Sequence, residues 1–350
     1  MERHTSLSSM RLSRRRFITQ SAALAAAMSV GLNPRRAFSA NVVANLGHYA
    51  SPNPQTYSKV ARSYEKVFSP KAGVNYVMVN SSGQVINFMT AGSVDISNVG
   101  SSGMVIGSVN GAPISMIYVQ KYITDSEALV VRTDRGINSV ADLKGKKIGT
   151  SYVSSTHFAL LMVLKKAGLS QKDVEIINTP PDQALAAWRR GAIDAAYMWE
   201  PVLSQIAEDK GKRLATTGDL LSDGVSVFDA IIVRNEFKEK HPDLVLAYLK
   251  EYDRIAQLYM KTPDEVAKFM SEGLQLPLDK AKGYVDTFHP ITPAQMIETK
   301  WMGKGNPENS GVNQSLMLQA QFLKDQGGIS SVPKTFTRYI DSSFLEKMAS

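Results

Sequence analysis

The 350-residue chain has no cysteine. Disulfides, thiolate metal sites and thiol nucleophiles are excluded together. Its five histidines, at positions 4, 48, 157, 241 and 289, show no ligand spacing, so no metal site is expected. No Gly-x-Ser-x-Gly elbow, Walker-type phosphate loop or His-Glu-x-x-His motif occurs. Catalytic residues and cofactors are accordingly expected to be none. After the first forty residues no run is long and apolar enough to span a bilayer.

The N-terminus is unlike the rest. A basic stretch leads into Ser13-Arg14-Arg15-Arg16-Phe17-Ile18-Thr19, then an Ala-rich apolar run to about Val30, then small residues near Ala37–Ala40. This pattern predicts an export signal of the twin-arginine type over residues 1–39, cleaved after Ser39 or Ala40. Seven arginines and Glu2 give that segment a charge of +6; removing it from the formal +8 leaves a mature chain near +2. The high overall pI therefore gives no support to a nucleic-acid partner. The mature chain is expected to be a periplasmic monomer.

Two stretches repeat one plan. "GQVINFMTAGSVDISNVG" (83–100) and "DQALAAWRRGAIDAAYMW" (182–199) each carry an amphipathic segment: Val85, Ile86 and Met89 in one, Ala184, Leu185 and Trp188 in the other. Each then meets a C-capping glycine, Gly92 or Gly191, and runs through Gly-small-(Val/Ile)-Asp into a short apolar strand. The offset is 99 residues for both the glycines and the aspartates Asp95 and Asp194. Strands at 41–49 and 147–151, helices at 55–68 and 156–167 and strands at 74–80 and 174–178 extend the parallel. Each half thus reads β-α-β-α-β, a doubly wound α/β lobe. Two β-rich runs, Ala128–Arg132 and Phe228–Val233, are placed to carry the crossings between lobes. The expected division is 40–127 with 230–350 as the first lobe and 128–229 as the second. Helices are expected near 241–260, 263–271, 278–285, 293–301 and 311–325, with a helix or ordered arm at 334–347. Two lobes joined by two strands form a hinge-closing binding architecture.

Ligands of such lobes sit at the carboxyl ends of the strands, where helix N-termini point. Three hydroxyl-rich turns fall there: Ser81-Ser82-Gly83, Gly100-Ser101-Ser102-Gly103 and Ser154-Ser155-Thr156. A serine in such a turn can cap its own helix or help hold an oxyanion without any lysine or arginine. Three of them favour a shared anion. Asp229 interrupts the apolar strand "VSVFDAIIVR"; a carboxylate there faces a cavity or meets a cation, either a ligand's or an internal arginine. Trp199 can stack on a cationic or aliphatic ligand part, or belong to the core. His157 reads as a capping or packing residue.

These stretches resemble a known family. "SNVGSSG" (97–103), "SEALVV" (126–131), "SSTHFALL" (154–161), "AAWRRGAIDAAYMWEP" (186–201), "FDAIIVRNEFKEKHP" (228–242) and "QFLKDQG" (321–327) are similar to the periplasmic substrate-binding proteins of ABC importers for sulfonates, nitrate and related ligands, and within them to taurine-binding proteins. The resemblance implies a type II periplasmic-binding-protein fold, two doubly wound lobes joined by two hinge strands, and a taurine-like sulfonate as ligand. It implies an ABC permease and its ATPase subunits as partners. By that likeness Ser101, Ser102, Ser155 and Thr156 hold the sulfonate and Asp229 takes the ammonium. Ser81, Ser82 and Trp199, read from the residues themselves, complete the expected site, and Glu200 departs from the family pattern by adding a second carboxylate nearby. The competing readings are a longer alkanesulfonate, nitrate or an amino acid-like acid as ligand, or a pyrimidine-precursor synthase-like enzyme, whose dependence on cysteine this chain cannot meet.

Overall fold

The computed structural model describes residues 42–223 and 226–350; the export signal expected over residues 1–39 lies outside the described residues. The chain opens with β1 (Val42–His48), α1 (Pro54–Ala61), α2 (Ser63–Phe68), β2 (Ala72–Met78), α3 (Ser82–Thr90), β3 (Ile96–Gly100), α4 (Ser101–Val109) and β4 (Ile114–Tyr122). It continues with β5 (Glu127–Arg132), β6 (Lys147–Thr150), α5 (Ser155–Lys166), β7 (Glu175–Asn178), α6 (Pro181–Arg189), β8 (Ala195–Trp199), α7 (Val202–Glu208) and β9 (Gly211–Thr216). After β10 (Phe228–Arg234) come α8 (Asn235–Lys240), α9 (Pro242–Lys261), α10 (Pro263–Leu274), α11 (Leu278–Asp286), α12 (Pro293–Met296), α13 (Gly311–Asp325) and α14 (Ser343–Ala349).

The strands form two five-stranded sheets with matching orders, β2-β1-β3-β10-β4 and β7-β6-β8-β5-β9. In each, three strands run parallel and the fourth is antiparallel to its neighbours. The fourth strands are the two runs expected to carry the crossings. β10 lies between β3 and β4, β5 between β8 and β9, and each is the first strand after a passage from one sheet to the other. The expected lobe limits at 127/128 and 229/230 fall one residue inside β5 and two residues inside β10.

The 99-residue repeat is visible in the hydrogen bonding. In the first sheet Asp95 donates its N–H to Asn45 O (2.8 Å), accepts from Asn45 N at Oδ2 (2.9 Å), and its carbonyl accepts from Arg234 N (2.8 Å). In the second, Asp194 donates to Lys147 O (2.8 Å), accepts from Lys147 N at Oδ2 (3.0 Å), and its carbonyl accepts from Arg132 N (3.0 Å). Gly92 (φ +74°) and Gly191 (φ +70°) make the left-handed turn that delivers each aspartate; an L side chain there would be strained. Val85, Met89, Ala184 and Trp188 are buried as the periodicity requires, whereas Ile86 and Leu185 are only partly covered.

Two later elements differ from the sequence reading. The helix expected over 293–301 stops at Met296, because Met302 N and Gly303 N both turn back to the Met296 carbonyl. In the tail the helix occupies Ser343–Ala349, preceded by a single turn at Thr337–Tyr339.

The two aspartates are unequal. Asp95 also accepts from Arg234 at Nη2 (2.6 Å) and Nε (3.1 Å) and is 2 % exposed, whereas Arg135 stands 3.5 Å from the more open Asp194. Asp95→Ala is expected to cost about 3 kcal/mol, since it leaves Arg234 with Glu236 as its remaining carboxylate partner and a strand N–H unpaired, and Asp194→Ala about 1 kcal/mol. Urea unfolding midpoints of the two variants measure the difference; equal losses would show that Arg234 adds nothing.

Candidate functional site

The carboxyl ends of both sheets face a shared cavity of about 60 Å³. Three helices begin at its wall. α3 starts at Ser82, α4 follows Gly100 and α5 starts at Ser155, and all three residues line the cavity. The first N–H groups of a helix have no partner within it, and the helix dipole makes that end positive. The lobes meet closely here: a Cβ on Gly100 would lie 2.9 Å from Ser155 Oγ and 3.3 Å from Ser155 N, so only glycine fits.

Of the eight residues expected at the site, Ser82, Ser155, Trp199 and Asp229 line the cavity. The structure does not bring the other four to its wall. Ser81 caps α3, its Oγ accepting from Gln84 N (3.2 Å). Ser101 and Ser102 both donate to Gln319 Oε1 on α13, at 3.0 and 2.9 Å, and are fully buried. Thr156 Oγ1 is engaged with Thr150 Oγ1 (3.1 Å) and Ser154 Oγ (2.8 Å). Successive side chains at a helix start point about 100° apart, so a run of hydroxyls cannot all face one cavity. At α4 the backbone faces it and the hydroxyls tie the helix to α13. His157 stacks on Tyr152 (centroids 4.9 Å apart), and burial lowers its pKa to about 4. Glu200 also lines the cavity, but its carboxylate is occupied by Ser204 N and Oγ (3.1 and 2.8 Å) and by Arg213 Nη2 (3.1 Å).

Sequence reasoning missed several wall residues: Glu127, Lys121 and Gln120 on strands, and Tyr284 and Phe288, which α11 and the turn after it bring over the opening. Glu127 and Lys121 carried the same signal as Asp229, a charged residue bordering an apolar strand. Glu127 accepts from Ser155 Oγ (2.5 Å) and Thr217 Oγ1 (3.3 Å). Burial, reinforced by the Asp229 carboxylate, pushes its pKa up to about 8, so it holds its proton at neutral pH. Asp229 is raised to about 6 by burial, against the pull of Lys121. At pH 7 the cavity therefore presents the Asp229 carboxylate, the Lys121 side chain, the neutral acid of Glu127 and the paired Glu200 carboxylate beside three positive helix ends.

Comparison with known proteins adds the following. The family described as NMT1/THI5 like matches residues 71–266. The taurine-binding periplasmic protein of Escherichia coli (strain K12) is 31% identical over 299 residues, covering 83% of this chain and 89% of that protein. Among solved structures, the alkanesulfonate-binding protein SsuA from Xanthomonas axonopodis pv. citri bound to MOPS superposes with a TM-score of 0.73 at 20% identity, covering 86% of this chain and 98% of the other. The periplasmic aliphatic sulphonate binding protein SsuA from Escherichia coli gives 0.69 at 21%, covering 85% and 91%. The fold is that of the periplasmic binding proteins.

Glu127 is expected to make stability depend on pH. The folded chain keeps a proton up to about pH 8 that the unfolded chain releases near 4.5, the ordinary range of a glutamate. Stability therefore falls as pH rises through that window. Glu127→Gln is expected to flatten the decline and to raise stability above pH 8. Urea midpoints at pH 5 and 8.5 check it; an unchanged slope in the variant would place the titration elsewhere.

Proposed function

We propose a function from one premise: the chain belongs to the NMT1/THI5-like family. In this reading it is the periplasmic solute-binding component of an ABC importer. It takes a small aminosulfonate of the taurine type into the cleft and delivers it to a permease served by ATPase subunits. The observation that carries the reading is Asp229 sharing one cavity with three helix N-termini. The helix ends suit a sulfonate, held by N–H groups and the hydroxyls of Ser82 and of Ser155, the latter turning from Glu127 to the ligand. Asp229 suits an ammonium and repels a simple anion. Binding without chemistry fits a wall that offers hydrogen bonds and charge but no activated nucleophile.

The lobes proposed from the sequence, 40–127 with 230–350 and 128–229, would close on the ligand about the two passages between the sheets. Lys280 on α11 pairs with Glu208 on α7, and Gln171 Nε2 donates to Gln326 O (2.9 Å), so contacts run between the two proposed lobes.

Asp229→Ala should lower affinity for taurine by about one to three decades. Affinity for ethanesulfonate, which lacks the amine, should change far less or rise. Ser155→Ala combined with Ser82→Ala should weaken both ligands, because both share the anionic end. Calorimetry on the three proteins reads this out. If Asp229→Ala weakens both ligands equally, that side chain serves the fold and does not read the amine.

Export belongs to the same proposal. Replacing Arg14 and Arg15 with lysine should retain the precursor in the cytoplasm of a Tat-competent host, as seen by fractionation. A variant that still reaches the periplasm refutes the twin-arginine route.

A further inference from the structure

The cavity carries one more ion than an aminosulfonate uses. Lys121 is only 5 % exposed and lines the wall. Its Nζ donates to Ser126 Oγ (3.2 Å) and lies 5.6 and 5.8 Å from the ring centroids of Tyr284 and Phe288. Among the described residues no carboxylate lies within ion-pair distance of it. An ammonium has three donors, and one hydroxyl occupies one of them. Next to it, Gln120 Nε2 is buried without a hydrogen-bond partner. Buried donors left open cost stability unless something fills them.

Both side chains reach the cavity because β4 bulges. Lys121 opposes Asp229 and Val119 opposes Ala230, which leaves Gln120 as the extra residue. A bulge breaks the alternation that would send neighbouring side chains to opposite faces. The floor of the first sheet then has a fixed order. Gly100 on β3, Asp229 on β10 and Lys121 on β4 stand side by side on adjacent strands. At about 4.8 Å per strand, helix ends, carboxylate and ammonium follow one another across the cavity. A taurine-like ligand uses the first two positions and leaves the third empty.

We propose that the cleft is built for an α-amino acid whose side chain ends in a sulfonate. The sulfonate goes to the helix N-termini, the ammonium to Asp229 and the α-carboxylate to Lys121 and Gln120. An ammonium and a carboxylate on one carbon match a carboxylate and an ammonium on adjacent strands. This inference rests on the aminosulfonate reading above and narrows its substrate class.

The test is calorimetry on the mature protein with cysteate (2-amino-3-sulfopropanoate), taurine and ethanesulfonate. The wild-type protein should bind cysteate at least about tenfold more tightly than taurine, the difference expected of one buried charged hydrogen bond. Lys121→Met should remove that advantage, lowering the ratio of cysteate to taurine affinity by about ten- to a hundredfold. Lys121→Arg, which keeps the charge, should restore part of it. If taurine binds the wild type and cysteate does not, or if Lys121→Met weakens both alike, Lys121 is an internal counter-ion of Asp229 and the inference is overturned while the aminosulfonate reading stands. If none of the three sulfonates binds, both fall. The wild-type ratio decides the matter even if the methionine variant does not fold.

Discussion

One aspartate in each half, at the foot of the third strand, ties that strand to the first. Asp95 grips the backbone of Asn45 and Asp194 that of Lys147, through the same pair of main-chain and side-chain hydrogen bonds. The carbonyl of each also receives the N–H of the arginine that ends the antiparallel strand, Arg234 or Arg132. Three strands are thereby registered at one end of each sheet. Their opposite ends then point into the cleft together, so that α4 after β3 and α5 after β6 both start at the cavity. That convergence depends on the register, since a slip of one residue would reverse every side chain on the strand.

At the cleft the governing cost is desolvation. A buried ion is tolerated when paired, hydrogen-bonded or neutralised. The molecule uses each of these. Glu127 keeps its proton, Asp229 stays within the field of Lys121, and Glu200 is turned into a local network with Ser204 and Arg213. In the proposed site the anion end needs no cationic side chain, because helix N–H groups and dipoles supply a fixed positive potential. Asp229 is then not quenched by an arginine where the sulfonate would sit.

The hydroxyl-rich turn after β3 has a second task. Ser101 and Ser102 both donate to Gln319, and Gln319 Nε2 donates in turn to Ser226 O (3.1 Å), just before β10. This network holds α4 against α13 and against the returning chain. Phe322 on the same helix packs edge-on against Phe158 of α5, with centroids 5.3 Å apart. α13 thus touches elements of both lobes, so the start of α4 is positioned by residues more than 200 positions away.

Much of this was legible in the residues themselves. Periodicity and the two Gly-small-(Val/Ile)-Asp units mark a repeated α/β lobe, because helix faces, left-handed turns and strand starts are local requirements of the backbone. Asp229 stands out as a charge in an apolar strand for the same kind of reason. Which hydroxyls face the ligand was not legible: Ser81, Ser82, Ser101, Ser102, Ser155 and Thr156 look alike in sequence, and the helical phase and the acceptor on α13 separate them. Nor could Lys121 and Gln120 be assigned to one wall, since adjacent strand residues normally face opposite ways and only the bulge opposite Asp229 and Ala230 turns both inward. Local chemistry writes the elements into the chain, while the direction of a side chain and the company of a charge depend on strands and helices that meet only after folding.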